Sequence, residues 1–449
     1  MEPILDDAGF STFIAAFTSY ERMPSYSYDA STLKLERMAE FARHLGDPQT
    51  EYPSVHVAGT KGKGSTCLIL EALLSQSLEP IGIYTSPHVE HIRDRIRIGG
   101  ERISETELCS TVNAILPTLE RLRDLGAERF PTFFELMTGL AMTFFRDRNV
   151  AYGIFEVGLG GRLDATNILT PSWTAITGIG LEHTRLLGST LAQVAREKAG
   201  IVKPGVPLVL GPVEDEAREA ILAVAHRANA DVLEVSRRSV RNTDRGTLQV
   251  DPFPMEFAPG PIRGPGLRDD LAIAVTLWRR ILESQGRSAT ANDLQTALDR
   301  LVLAGRVEFS DTHPPIVLDG AHTPESIRAL RVALEEVEFP RPRRLLLSLS
   351  SDKRIDSILR ELDGLAGEVY FTRADALRSC PPEEVAERYH AVCGVESPPE
   401  HIIADPEEAF KRAYSDGWPL VITGSLYLAG ALRAAMRTLV RETKPTQSA

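Results

Sequence analysis

The chain has 449 residues, too many for one ordinary hydrophobic core, so two domains are expected. Hydrophobic residues make up 43% and charged residues 25%, a globular balance, and a net charge of −12 argues against a general nucleic-acid or anionic-membrane binder. Cys67, Cys109, Cys380 and Cys393 form no CxxC pair and are too sparse for a disulfide framework, which points to a reducing compartment. The opening MEPILDDAGF lacks the basic start and apolar centre of a signal peptide. No apolar run approaches the roughly 18 residues of a membrane span, so a cytoplasmic protein is expected.

In chain order, 55–58, 81–84, 152–157, 175–179 and 206–210 read as buried strands, each followed by a turn or helix signal. That rhythm predicts an α/β fold with a parallel sheet covered by helices. After residue 235 the Pro-, Gly- and charge-rich SRRSVRNTDRGTLQVDPFPMEFAPGPIRGPG predicts a small hairpin excursion with loops. Helices are expected near 269–285 and 291–301. A second alternating series follows: strand PIVLDG, a helix after HTPES, strand RRLLLSLS, a helix from Ile355 and strand EVYFT. Helices from Pro382 and Asp405, strand PLVITG and a helix from Leu426 complete a smaller α/β domain, and the tail ETKPTQSA reads as frayed. The domain boundary is placed at 301/302.

The stretch HVAGTKGKGSTC follows the first strand and opens a helix. Unpaired amides and the positive end of a helix dipole favour an anion there. Lys63 would offer a point charge to the outer phosphates, and Ser65 or Thr66 a hydroxyl for Mg²⁺. The spacing is not that of a standard P-loop, because Gly64 separates Lys63 from Ser65. A flexible Gly/Lys turn is the plain alternative. Glu156 ends a buried strand before the turn GLGGRLD, where a carboxylate is well placed for a ligand crevice, although taken alone it reads first as a salt-bridged strand end. Taken alone, His183 reads as a core histidine and Lys198 as a snorkelling surface lysine.

GTKGKGST resembles the phosphate loop of the folylpolyglutamate synthase/dihydrofolate synthase family of the Mur ligase superfamily, whose usual form is GTNGKGS. The likeness continues through YTSPHVEHIRDRIRIGGERIS, TFFELMTGLAMTFF, IFEVGLGGRLDATNIL, GLEHTRLLGSTLAQVAREKAGIVKPGVP, GRVE, VLDGAHTPES and VITGSLYLAG. The resemblance implies an N-terminal Mur-ligase-type P-loop ATPase domain (1–301) that binds ATP and folate. It implies a smaller Rossmann-like glutamate-ligase domain (302–449) after it. It implies ATP contacts at Gly59, Thr60, Lys61, Gly62, Lys63, Gly64, Ser65, Thr66, Arg306 and Asp319. Mg²⁺ would be held by Ser65, Ser86, Glu156 and His183, with Lys198 carbamylated to serve a second metal. Lys63, His183 and Lys198 would be catalytic, His322 and Ser425 would face the glutamate, and His88 and Arg93 would lie near the folate-type substrate. For Asp319, His322 and Ser425, turn or helix-cap roles are the plain alternative.

The activity so implied is ATP-dependent addition of L-glutamate to a folate or dihydropteroate carboxylate through an acyl phosphate, by a monomer with no nucleic-acid or membrane partner. The alternatives are a paralogue that binds nucleotide or pterin without ligating, and a ligase of the same mechanism acting on another acid. Three departures from the family pattern stand out. Gly266 and Leu267 replace a His-Gln pair and Asp270 an Asn; Leu303 and Ala304 precede the hinge Gly305-Arg306; Thr323 follows DGAH. All three are expected near adenine, ribose or the hinge.

Overall fold

The structure, a computed structural model, describes residues 1–23, 33–243, 246–250, 255–310, 312–351, 353–375, 378–394 and 400–443. The chain forms two compact units. The first comprises Met1–His88, Ile92–Pro259 and Leu267–Leu301, and the second Val89–His91, Gly260–Gly266 and Val302–Ala449.

The first unit is built on strands β1 (Ser54–Ala58), β2 (Ile81–Tyr84), β3 (Ile96–Ile98), β4 (Glu101–Arg102), β5 (Tyr152–Glu156), β6 (Trp173–Ile176), β7 (Leu208–Leu210) and β8 (Val232–Glu234). Their order is β4-β3-β2-β5-β1-β6-β7-β8. The six strands from β2 to β8 in that order run parallel, and β3 and β4 add an antiparallel edge. β1 lies in the middle with every residue buried, as its run SVHVA requires when helices cover both faces. Val57 pairs with Glu156 on one side and Ala175 on the other, so the loops leaving the carboxyl ends of β1, β5 and β6 converge. On one side the sheet carries an aromatic-rich core including Phe10, Phe41, Tyr84, Phe145 and Phe155. A second cluster joins Ala58 and Ile176 to Ala195, Ala199 and Ile221. Helices Glu105–Leu125, Phe133–Asp147 and Leu191–Ala199 each begin with a capping box, set by Ser104, Thr132 and Thr190.

The expected excursion is a three-stranded antiparallel sheet of β9 (Val240–Asn242), β10 (Leu248–Val250) and β11 (Met255–Phe257). Strand β6 stops at Ile176, short of the expected 179, because residues 177–180 turn to bond the loop after β1 instead. The helix expected from 269 begins earlier, at Gly264.

In the second unit, β12 (Glu308–Phe309), β13 (Ile316–Leu318), β14 (Arg344–Leu347), β15 (Glu368–Phe371), β16 (Glu400–Ile402) and β17 (Leu420–Thr423) form a sheet of order β12-β13-β17-β14-β15-β16. All pairs but β12–β13 are parallel. The helix after HTPES starts inside that motif, at Pro324, because Thr323 caps it through a reciprocal bond pair with Ser326. The closing helix Leu426–Thr443 takes in the first two residues of the expected frayed tail, and its last six lie outside the described residues.

Candidate active site

The loop after β1 is held residue by residue. Gly59 leaves room for no side chain: a Cβ there would lie 1.9 Å from the Thr177 Oγ1. The Thr60 amide donates to the Gly178 carbonyl (2.7 Å), and its hydroxyl accepts from the Gly180 amide (3.0 Å). Thr177 Oγ1 donates to the Lys61 carbonyl at 2.5 Å. Gly62 sits at φ 85°, a left-handed turn that glycine adopts without strain, and opens the Lys63–Leu74 helix. Asp270 packs against it, with Oδ1 2.0 Å from where a Cβ of residue 62 would stand. Gly64, Ser65 and Thr66 are buried in the first turn, and Thr66 Oγ1 has no hydrogen-bond partner among the described residues. This is a pre-formed turn rather than a flexible one.

Glu156 ends β5 with its carboxylate buried. The Ser86 amide donates to its Oε2 at 3.0 Å, and Lys63 Nζ stands 4.0 Å from its Oε1. Lys63, Ser86 and Glu156 are therefore brought together. His183 is exposed, at φ 51°, before the short Thr184–Leu187 helix. Its exposure differs from the core position read from the residue alone.

Lys198 is no snorkelling lysine. It lies in the last turn of Leu191–Ala199, 5% exposed, and donates to the Gly59 carbonyl at 2.8 Å. Burial, and then the Lys63 charge, push its ammonium down to about 7, against the opposing pull of Glu182 and Asp164. An amine that is partly neutral near pH 7 is thus placed directly under the loop.

A network that the sequence reading missed supports the turn after Glu156. Asp164 accepts from the amides of Leu159 (2.9 Å) and Thr166 (3.0 Å) and from the Thr166 hydroxyl (2.5 Å). Burial pushes its carboxyl above the usual range, opposed by those bonds. On the other side, His56 Nε2 meets the Thr166 hydroxyl at 2.8 Å. Burial, then Lys203, push this imidazole down to about 3, so it is neutral in the fold. The available signal was the run LDAT, an aspartate two residues before a threonine.

In the segment after Ser86, Arg95 donates to His88 Nδ1 (3.2 Å) while paired with Glu21 (2.7 Å), and Arg93 pairs with Asp7 (3.1 Å). In the second unit, Asp319 accepts from the amides of Val307 (2.8 Å) and Ala321 (2.9 Å). His322 Nδ1 meets the Gly320 carbonyl (2.7 Å), Ser425 accepts from the Tyr427 amide (3.2 Å), and Arg306 donates to the Ala304 carbonyl (3.0 Å). Among the described residues no group of three or more His, Cys, Asp or Glu side chains is gathered as a metal cage. No described helix is long and apolar enough to cross a membrane. The four cysteines are free thiols.

Of the departures from the family pattern, Asp270 is the one that packs against Gly62 in the loop after β1.

Residues 305–425 match the family described as Mur ligase, glutamate ligase domain. The dihydrofolate synthase/folylpolyglutamate synthase of Bacillus subtilis is 29% identical over 437 residues, covering 94% of this chain and 100% of that protein. The folylpolyglutamate synthase of Lacticaseibacillus casei is 30% identical over 417 residues, covering 91% and 95%. A solved structure of Mycobacterium tuberculosis folylpolyglutamate synthase complexed with ADP superposes with a TM-score of 0.83 at 26% identity, covering 96% of this chain and 98% of that one. With the loop, the strand-end carboxylate and the two α/β units in place, the chain belongs to the folylpolyglutamate synthase/dihydrofolate synthase family of ATP-dependent ligases.

Proposed function

We propose that the chain joins L-glutamate to the carboxylate of a folate or of dihydropteroate, using ATP and Mg²⁺, through an acyl phosphate. The observation that carries this reading is the loop from Gly59 to Gly62, each residue held by a different contact, with Lys63 facing the buried Glu156. Residues 1–301 would bind ATP and folate, and residues 302–449 would serve the glutamate. The working form is a cytoplasmic monomer.

In the first step a substrate carboxylate oxygen attacks the γ-phosphorus, and ADP leaves. In the second the glutamate amine attacks the acyl carbon, the carbon–oxygen bond to phosphate breaks, and the amine gives up a proton. The amides at the start of Lys63–Leu74 and the Lys63 ammonium take the nucleotide's phosphates and hold them without reorganising. Ser65, Ser86, Glu156 and His183 would hold Mg²⁺, whose charge when bound neutralises the phosphoryl oxygens. The donors suit it: a buried carboxylate oriented by the Ser86 amide is a hard oxygen ligand. Lys198, lowered to about 7, has the free lone pair that addition of CO₂ requires, and the resulting carbamate would add a further oxygen donor. Arg306 and Asp319 are assigned to the nucleotide, His322 and Ser425 to glutamate.

The test is to incubate the protein with ATP, Mg²⁺ and glutamate, with dihydropteroate or tetrahydrofolate as acceptor. The expected result is an acceptor heavier by one glutamyl residue or more, with ADP formed in proportion, and a sharply raised Mg²⁺ requirement in Glu156→Gln. Absence of product from both acceptors would overturn the reading.

A further inference from the structure

Asp270 is buried near the start of the Gly264–Ser284 helix, and both its oxygens flank Gly62, at 2.0 and 3.1 Å from the position a Cβ would take. Gly62 is the N-cap of Lys63–Leu74 and supplies no side-chain cap of its own. The positive end of that helix, where a phosphate is stabilised, therefore already faces a carboxylate from a distant part of the chain. An amide fills the same space without charge, whereas Asp270 adds a second acidic group beside a loop whose Lys63 already faces Glu156.

We propose that Asp270 is a specificity-determining residue of the phosphate loop: its charge weakens the hold on bare polyphosphate, so that the loop selects a nucleotide already neutralised by a divalent cation. The inference rests on the loop being the nucleotide's phosphate site. Two anions at one helix terminus, in surroundings shielded from water, repel in proportion to the charge each carries. The penalty is therefore largest for metal-free ATP, smaller for the Mg²⁺ complex and absent for adenosine. A purely structural role would change all three alike.

Calorimetric titration of the full chain with metal-free ATP, with ATP plus Mg²⁺, and with adenosine tests it in wild type, Asp270→Asn, Asp270→Ala and Lys63→Ala. Asp270→Asn is expected to bind metal-free ATP about ten-fold tighter and the Mg²⁺ complex about two- to three-fold tighter, with adenosine unchanged. Asp270→Ala should repeat the gain for metal-free ATP, which separates charge from amide contacts. Equal affinities in wild type and Asp270→Asn, or an equal change for all three ligands, would overturn the inference. If Lys63→Ala at the same time loses ATP binding, the site reading stands and only the role of Asp270 falls. If ATP binding is indifferent to Lys63→Ala, the site reading falls, and this inference with it.

Discussion

The loop of the first unit and the DGAH and TGSLY turns of the second carry equally strong motifs, yet their side chains are engaged differently. Around residues 59–66, polar groups of the loop and its neighbours are buried: Lys198 is lowered to about 7 by burial and the Lys63 charge, and Lys63 faces Glu156 at 4.0 Å. In the second unit, Asp319, His322 and Ser425 spend hydrogen bonds on their own turns. Burial raises the Asp319 carboxyl too, but two backbone amides oppose that shift, whereas Lys198 lies buried beside a like charge and is the group poised for a ligand's charge.

The largest expected effect breaks this contrast if it is absent. Lys63→Ala should lower kcat about 100-fold or more, since a preorganised charge at the phosphoryl group is lost. Near-normal turnover in the folded variant would show that the buried charges of the first unit are not catalytic. Next comes His56, whose folded pKa of about 3 lies below its ordinary 6.5. Between those values the unfolded chain binds more protons, so the neutral imidazole's contribution is complete above pH 6.5 and is lost as pH falls toward 3. From pH 6.5 to 5, wild type should lose about 2 kcal/mol more stability than His56→Gln in urea unfolding. Parallel pH profiles would mean that His56 is not held neutral. The smallest effect sharpens the comparison from the other side. Ser425→Ala should cost about 1 kcal/mol of stability, the usual value of a helix cap, and should also raise the KM for glutamate, the role proposed for it. Loss of stability with an unchanged KM would leave Ser425 as scaffold alone.

Much of the fold was legible because burial imposes simple patterns. The run IGIY could only be a buried strand, and β2 covers 81–84 as read. The β3–β4 hairpin was missed although IRIGGER carries its signal: Gly99 and Gly100 take φ 59° and 85° in a two-residue turn. β16 was missed because its three residues EHI give no alternation to read. Within the candidate site, Lys63 was legible because it sits where a Gly-rich turn opens a helix, and Glu156 because it sits where a strand meets a turn. The burial of Lys198 was not, because nothing in REKAG reveals that its Nζ would meet the Gly59 carbonyl. The contact of Asp270 with Gly62 was hidden for the same reason: packing between distant parts of the chain, not local sequence, sets that neighbour. Thr323 shows the reverse case, a departure from the family whose cap role its hydroxyl fully accounts for.

The fastening of residues 59–62 to the 177–180 turn, to Lys198 and to Asp270 has a consequence for how the first unit breathes. Three stretches far apart in sequence share one knot, so transient opening of any of them requires the knot to loosen. A ligand seated on the loop would lower the population of all those openings at once. Slowed amide exchange should then appear together in the 177–180 turn, the end of Leu191–Ala199 and the first turns of the helix bearing Asp270, while β7 and β8 keep their ligand-free rates.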